Sequence, residues 1–347
     1  MKRKGKTIRN AIIFILLIIL TFYIILKDQN IDEILKIIGN VKIQYVLIAV
    51  ISMCIYAMCE AINIGRTLKV LNEKTSFFNN IKYALIGFFF SGITPAASGG
   101  QPMQIYYMYK DKISVANSTL ALLINLSSMQ VVTISLALIS VIINHNILNT
   151  ALTWFFVIGI LLNASALSLL LIAIFSKKLL QKLINIVVKI MKKLKIKNIE
   201  QKQEKIQAEL SKYQNSSDYI KNNKLVIIKT IITTYIEFLA LYSVSYWVYC
   251  SFGLNKYNIF KIISIQAVLY GTVSGIPSPG AVGVTEGGFI EIFKTIFPQN
   301  IINSAMILNR GINFYLLIIV SAIITIVNAV KCQKMEEKIT ENKCEKS

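Results

Sequence analysis

Histidine is almost missing: one, His145, occurs in 347 residues, set in a short polar turn, which removes most histidine-dependent catalysis and leaves few transition-metal sites. The five cysteines, Cys54, Cys59, Cys250, Cys332 and Cys344, show no CxxC spacing, so neither a disulfide framework nor a zinc site is indicated. No cofactor is expected. Charge is scarce as well. Asp, Glu, Lys and Arg make up 16% of the chain against 55% hydrophobic residues, and the mean hydropathy is +0.60. Soluble domains do not have that composition. What charge there is carries an excess of +20 and falls between long apolar runs. No soluble segment is long enough to present a basic face to nucleic acid, so the excess reads as a membrane-topology signal.

A hydrocarbon core about 30 Å thick needs roughly 20 mostly apolar residues per helix. Runs at 10–26, 45–64, 115–143, 151–175, 225–252 and 304–330 meet that need, while apolar stretches at 77–109 and 259–297 are interrupted by Gly and Pro. The predicted fold is an all-α polytopic membrane protein with about six full transmembrane helices and two broken re-entrant hairpins. Lys2, Arg3, Lys4, Lys6 and Arg9 precede the first run, and Lys27, Asp28 and Gln29 follow it without a small-residue cleavage site. That pattern describes a retained signal anchor with a cytoplasmic N-terminus.

Segment 177–224 holds thirteen lysines and four acids and is expected in the cytoplasm, as is the basic loop 65–76. The uncharged turn 144–150 then lies outside, and hairpin 77–109 must begin and end inside. Five lysines and four glutamates follow residue 330. If that tail is also cytoplasmic, hairpin 259–297 begins and ends outside, opposed to the first. The chain divides into a membrane half (1–176), a basic connector (177–224) and a second membrane half (225–347).

The first break reads Ser91-Gly92-Ile93-Thr94-Pro95-Ala96-Ala97-Ser98-Gly99-Gly100-Gln101-Pro102 and the second Ser274-Gly275-Ile276-Pro277-Ser278-Pro279-Gly280-Ala281-Val282-Gly283-Val284-Thr285-Glu286-Gly287-Gly288. Proline removes a donor and glycine costs entropy in a helix, so neither stretch should stay helical. Irregular backbone at membrane depth is tolerated only beside protein or a water-filled cavity. Paired breaks in two halves point to a transporter's central site. The alternative is that both are tight corners of helix packing. Gly87 with Ser91-Gly92-Ile93, and Gly271 with Ser274-Gly275-Ile276, form a short echo consistent with an inverted repeat.

Thr94 through Pro102 followed by Gln104, and Pro279 through Gly287 followed by Arg310, resemble the paired signatures of the lysylphosphatidylglycerol synthase transmembrane, or flippase-like, family. That family includes the membrane half of the multiple-peptide-resistance factor. The resemblance implies a multi-pass lipid translocator of a bacterial plasma membrane that takes an anionic or lysyl-phosphatidylglycerol-like phospholipid and contributes to resistance against cationic antimicrobial peptides. It also implies a substrate-binding set of Thr94, Pro95, Ser98, Gly99, Gly100, Gln101, Gln104, Pro279, Gly280, Gly283, Glu286, Gly287 and Arg310. In the full-length resistance factor a soluble C-terminal domain transfers lysine from lysyl-tRNA to phosphatidylglycerol. Only 17 residues follow 330 here, so that domain is expected to be absent. Three classes remain: a flippase, a phosphatidylglycerol lysyltransferase as the family name suggests, and a membrane partner of a separate lipid-modifying synthase.

Charges in or beside apolar runs are expensive, which makes Glu60, Lys229, Glu237, Glu286, Glu291 and Arg310 functional candidates by default. Arg310 suits a lipid phosphate, with Glu286 as internal counter-ion; a purely structural bridge between the two is the alternative. Glu60 is expected to reach the cytoplasmic interface and Lys229 to snorkel. Glu237 lies deep in its run and is a further site candidate. In the connector, Leu179, Leu180, Leu183, Ile184, Val187, Val188 and Met191 form a helix-period stripe among lysines, reading as an interfacial helix on anionic lipid or as a solvated linker. Tyr106, Tyr107 and Tyr109 read as an interface belt.

Overall fold

The computed structural model describes residues 36–94, 97–144, 150–177, 199–276 and 279–344, with isolated positions between 181 and 189, and every regular element among them is helical. The run at 10–26, Pro95, the turn holding His145, Pro277 and the apolar stripe of 179–191 lie outside the described residues. The elements are α1 (Ile43–Val70), α2 (Phe77–Ile93), α3 (Gly100–Lys110), α4 (Val115–Ile143), α5 (Thr150–Phe175), α6 (Ile199–Asn222) and α7 (Lys224–Ser251). They continue as α8 (Ile259–Val273), a 3-10 turn (Pro279–Ala281), α9 (Val284–Phe293), α10 (Ile302–Arg310), a π-helical turn (Gly311–Leu316) and α11 (Leu317–Cys344).

Five of the described helices are long and apolar enough to cross a membrane: α1, α4, α5 from Leu152, α7 and the composite over Ile302–Val330. This is a polytopic α-helical membrane protein. The five predicted runs that fall within the described residues recur almost unshifted, except that α1 continues to Val70 beyond the expected end at 64. At 28 residues α1 is about 42 Å long, more than the hydrocarbon core requires. Polar side chains start the helices where the charge pattern turns: Ser76 accepts from Asn79 N–H, Ser114 from Asn117 N–H and Asn258 from Lys261 N–H.

Both interrupted stretches fold back on themselves. In the first, the Lys82 ammonium and the Tyr83 hydroxyl (2.5 Å) of α2 both reach Asp111, just past α3, so the hairpin begins and ends together. Nearby, Glu73 accepts from Asn117 Nδ2 at 2.7 Å and pairs with Lys212 of α6 at 3.6 Å. In the second, Tyr257 donates to the Thr295 carbonyl at 3.3 Å, again closing entry onto exit. Beside that closure, Lys42 N–H meets the Ser251 carbonyl at 2.8 Å and Lys261 Nζ meets Asn144 Oδ1 at 2.8 Å. Helices α1 and α4 each have one terminus in the first group and the other in the second, and α7 runs from Val226, packed with Leu71 and Ala116 beside the first group, to Ser251 in the second. The hairpins therefore enter the bundle from opposite ends.

The irregular stretches are shorter than the sequence suggests. Helix α2 runs through Ser91, Gly92 and Ile93, and α3 resumes at Gly100; α8 ends at Val273 and α9 starts at Val284, with the 3-10 turn between them. Pro102 sits in the first turn of α3, where its missing donor has no partner to lose. Helix α6 is tied to the protein at one end of the bundle. Glu209 accepts from Ala116 N–H at the start of α4 (3.0 Å), a carboxylate on a helix N-terminus. Tyr213 and Ser217 donate to the Ala173 and Ile174 carbonyls at the end of α5 (3.0 and 2.5 Å). Burial pushes the Tyr213 hydroxyl above its usual range, so it stays a donor. Of the tyrosine belt, Tyr106 and Tyr109 are exposed while Tyr107 turns into the core.

Candidate functional site

The two breaks lie almost two hundred residues apart in sequence and meet in space. The Gly92 carbonyl stands 3.2 Å from where a Cβ on Gly280 would be, and the Phe314 ring occupies the rest of that space. Only glycine fits there, the more so because Gly280 has φ +58°. Ala281 (φ +52°), Gly283 (φ +85°) and, in the first break, Ala97 (φ +53°) are also left-handed. An alanine in that region is strained and is held there by its surroundings.

Each break has its own clasp. In the first, the Thr94 hydroxyl donates to the Phe90 carbonyl at 2.6 Å and accepts Gly99 N–H at 2.9 Å, spanning the gap between α2 and α3. A Cβ on Gly100 would run into Ser91 and come within 2.9 Å of the Gly87 carbonyl, so α3 starts hard against α2. In the second, Glu286 Oε2 accepts Gly283 N–H at 2.6 Å, closing the first turn of α9. Its other oxygen accepts Arg310 Nε–H at 2.8 Å, and Arg310 Nη2 donates to the Gly280 carbonyl at 3.0 Å. The guanidinium lies over the Phe314 ring, 4.2 Å from its centre. Both partners are buried. The expected counter-ion pair is present, and it holds the second break shut.

A cavity of about 420 Å³ opens where the hairpins meet. Gln101 and Gln104 of α3 line one side, and Gly280, Thr285 and Arg310 line another. The full spans contribute Glu60, Gln130, Thr133, Asn163 and Asn313, and α8 of the second hairpin contributes Gln266. Gln104 Nε2 is anchored on the Tyr83 carbonyl at 3.1 Å, and Asn163 Nδ2 on the Gly159 and Gly271 carbonyls at 2.8 and 3.2 Å. Gln130 Oε1 and Asn313 Oδ1 are buried acceptors without a donor among the described residues. The cavity therefore offers a guanidinium, a carboxyl and open amide oxygens to whatever enters.

Of the residues expected from sequence, Gln101, Gln104, Gly280 and Arg310 line this cavity. Thr94, Gly99, Gly100, Gly283 and Glu286 build the breaks behind it, Ser98 lies in the first turn, and Pro279 opens the 3-10 turn. Gly287 has nothing within 4 Å of a Cβ position, and no contact demands glycine there. Glu237 is fully buried and does not line the cavity. Glu60 corrects the sequence expectation. It lies ten residues before the end of α1, about 15 Å along the axis, and turns inward onto the cavity, where its Oε2 accepts from Asn125 Nδ2 at 2.8 Å. The amides Gln130, Asn163, Gln266 and Asn313 were not expected from sequence. The signal was an uncharged amide inside an apolar run, which hydropathy scarcely registers.

Fold and site together define a polytopic helical membrane protein whose two opposed broken hairpins meet at a cavity with polar groups on a largely apolar wall. The chain belongs to the lysylphosphatidylglycerol synthase TM region family, which matches residues 10–321. None of the curated proteins compared with it matches.

Proposed function

We propose that this protein moves a phospholipid with an anionic or aminoacylated head group between the leaflets of a bacterial plasma membrane, with the α6 end in the cytoplasm, and that it contributes in this way to resistance against cationic peptides. The observation that carries the reading is the cavity at the junction of two hairpins that enter from opposite ends. At about 420 Å³ it suits a head group and leaves acyl chains in the bilayer. Arg310 on its wall matches a phosphate, and Glu60 with the open oxygens of Gln130 and Asn313 matches ammonium or hydroxyl donors. Gln101 and Gln104 add side chains from the facing hairpin.

The test is reconstitution of the full chain into liposomes carrying fluorescent phosphatidylglycerol, with an impermeant quencher added outside. Wild-type protein should expose inner-leaflet label faster than protein-free vesicles, and unlabelled lysyl-phosphatidylglycerol should compete. Arg310→Lys keeps the charge and loses the planar fork, so it should slow translocation by more than its loss of thermal stability explains. A wild-type rate equal to that of empty vesicles defeats the reading. An unaltered rate in Arg310→Lys removes Arg310 from head-group recognition.

A further inference from the structure

At the cavity wall, Glu60 of α1 stands beside Glu237 of α7: Asn63, three residues on and on the same face of α1 as Glu60, bonds the Glu237 carboxylate directly. Each is held from one side by an asparagine. Asn125 Nδ2 donates to Glu60 Oε2 at 2.8 Å, and Asn63 Nδ2 donates to Glu237 Oε2 at 3.4 Å and to Thr234 Oγ1 at 3.0 Å. The orientation of Asn63 is set in turn by Arg66, whose Nη1 donates to Asn63 Oδ1 at 2.9 Å. Glu237 is 0% exposed, and its Oε1 accepts from no donor among the described residues. The amide oxygen of Asn125, 3% exposed as a residue, also lacks a partner. No salt bridge among the described residues reaches either glutamate.

Two ionised carboxylates are both acceptors and cannot bond each other; a carboxylic acid facing a carboxylate can, through one proton. The other titratable groups around the pair are Tyr56 and Cys59 of α1, Tyr242 of α7 and Tyr270 of α8, all ordinarily neutral near pH 7. Arg66 meets the pair only through Asn63, and Arg310 bears on Tyr270 while its own bonds go to Glu286 and Gly280. No base stands beside the pair to take its proton, and Glu60 opens onto the cavity.

We propose that Glu60 and Glu237 form a proton-binding site that loads and empties through the central cavity, and that its occupancy couples a proton gradient to the movement of the cavity's occupant. The shared proton passes between water in the cavity and the Glu60 carboxyl, whose hydrogen bond to Glu237 forms on loading and breaks on release. Only the coupling rests on the lipid-translocator reading; the proton site rests on the geometry of the pair.

Two measurements on the full chain in liposomes separate those two layers. The first is difference infrared spectroscopy across a pH titration. Wild type should show a carboxylic C=O band that shifts in D2O and that Glu237→Gln and Glu60→Gln each abolish. Absence of the band, or its survival in both variants, overturns the site. The second is fluorescent phosphatidylglycerol translocation with an imposed pH gradient of either sign. The wild-type rate should change several-fold when the gradient is reversed, and in Glu237→Gln the ratio of the two rates should fall to one, whatever the absolute rate. A ratio of one in wild type, with lipid still moving, overturns the coupling and leaves the translocator reading intact. If wild type moves no lipid, that reading fails and the infrared band alone decides for or against the proton site. Glu60→Gln and the wild-type band serve if Glu237→Gln does not fold.

Discussion

The two breaks solve the same geometric problem with different chemistry. The first is closed by a neutral hydroxyl: Thr94 bridges the Phe90 carbonyl and Gly99 N–H, and the hairpin around it is stitched by short-range contacts such as Gln104 on the Tyr83 carbonyl. The second is closed by an ion pair borrowed from another helix, with Arg310 of α10 reaching both Glu286 and the Gly280 carbonyl. One clasp is local and uncharged. The other ties the break to a distant span and places a guanidinium on the cavity wall. The difference teaches that an inverted architecture does not require symmetric chemistry, and that the second hairpin is the one whose closure an anion at the cavity can compete for.

The comparison breaks first at Arg310. Arg310→Ala leaves Glu286 buried and unpaired and should cost about 3 to 5 kcal/mol, read as a large fall in thermal stability in detergent. A loss no greater than that of a neutral clasp would show the second break to be held by packing alone. Gly280→Ala comes next: it forces a Cβ onto Phe314 and the Gly92 carbonyl at φ +58°, and backbone strain with overpacking should cost about 2 to 4 kcal/mol in the same assay. Thr94→Val removes the first clasp while keeping its volume, with an expected loss of about 1 kcal/mol. The smallest effect is a gain. Gly287 lies within α9 with open space around it, so Gly287→Ala should raise stability by about 0.5 to 1 kcal/mol. A clear loss there would reveal a contact absent from this conformation.

Much of this was readable in the sequence. Apolar length gave the spans because a helix must satisfy its own backbone in lipid. The lysines around residues 65–76 and 110–112 implied that the first hairpin returns to its starting end, as the contacts of Lys82 and Tyr83 with Asp111 bear out. The proline and glycine clusters gave the breaks, but not their extent, because Pro102 is harmless in a first helical turn and Gly92 is tolerated at the end of one. What was not readable was depth and pairing. Glu60 looked peripheral because α1 continues six residues past the expected end of its apolar run, through Arg66 and Lys69. Nothing local announced that Glu60 stands beside Glu237 of a helix that begins more than 150 residues further along. The cavity amides were hidden for the same reason: an asparagine in an apolar run says that something polar is near, not what.

The π-helical turn after Arg310 has a consequence for which insertions and deletions this span can bear. A helix of ordinary pitch turns about 100° per residue, so positions four and five beyond an arginine point in different directions. The wider turn over Gly311–Leu316 brings Phe314 and Tyr315 both towards the guanidinium, 4.2 and 5.8 Å from the ring centres. Six residues at the wider pitch cover about the angle that five cover in an α-helix, so deleting one residue between 311 and 316 would restore ordinary pitch and leave the span downstream in phase. The exposed row of Ile319, Ile323 and Ile326 would stay on lipid and Ile318 and Ser321 in the core, while Phe314 and Tyr315 would no longer both face the guanidinium. The surplus residue is thus absorbed where it sits and serves the arginine, not the phase of the span. Its length at this point is as much a part of the site as the arginine.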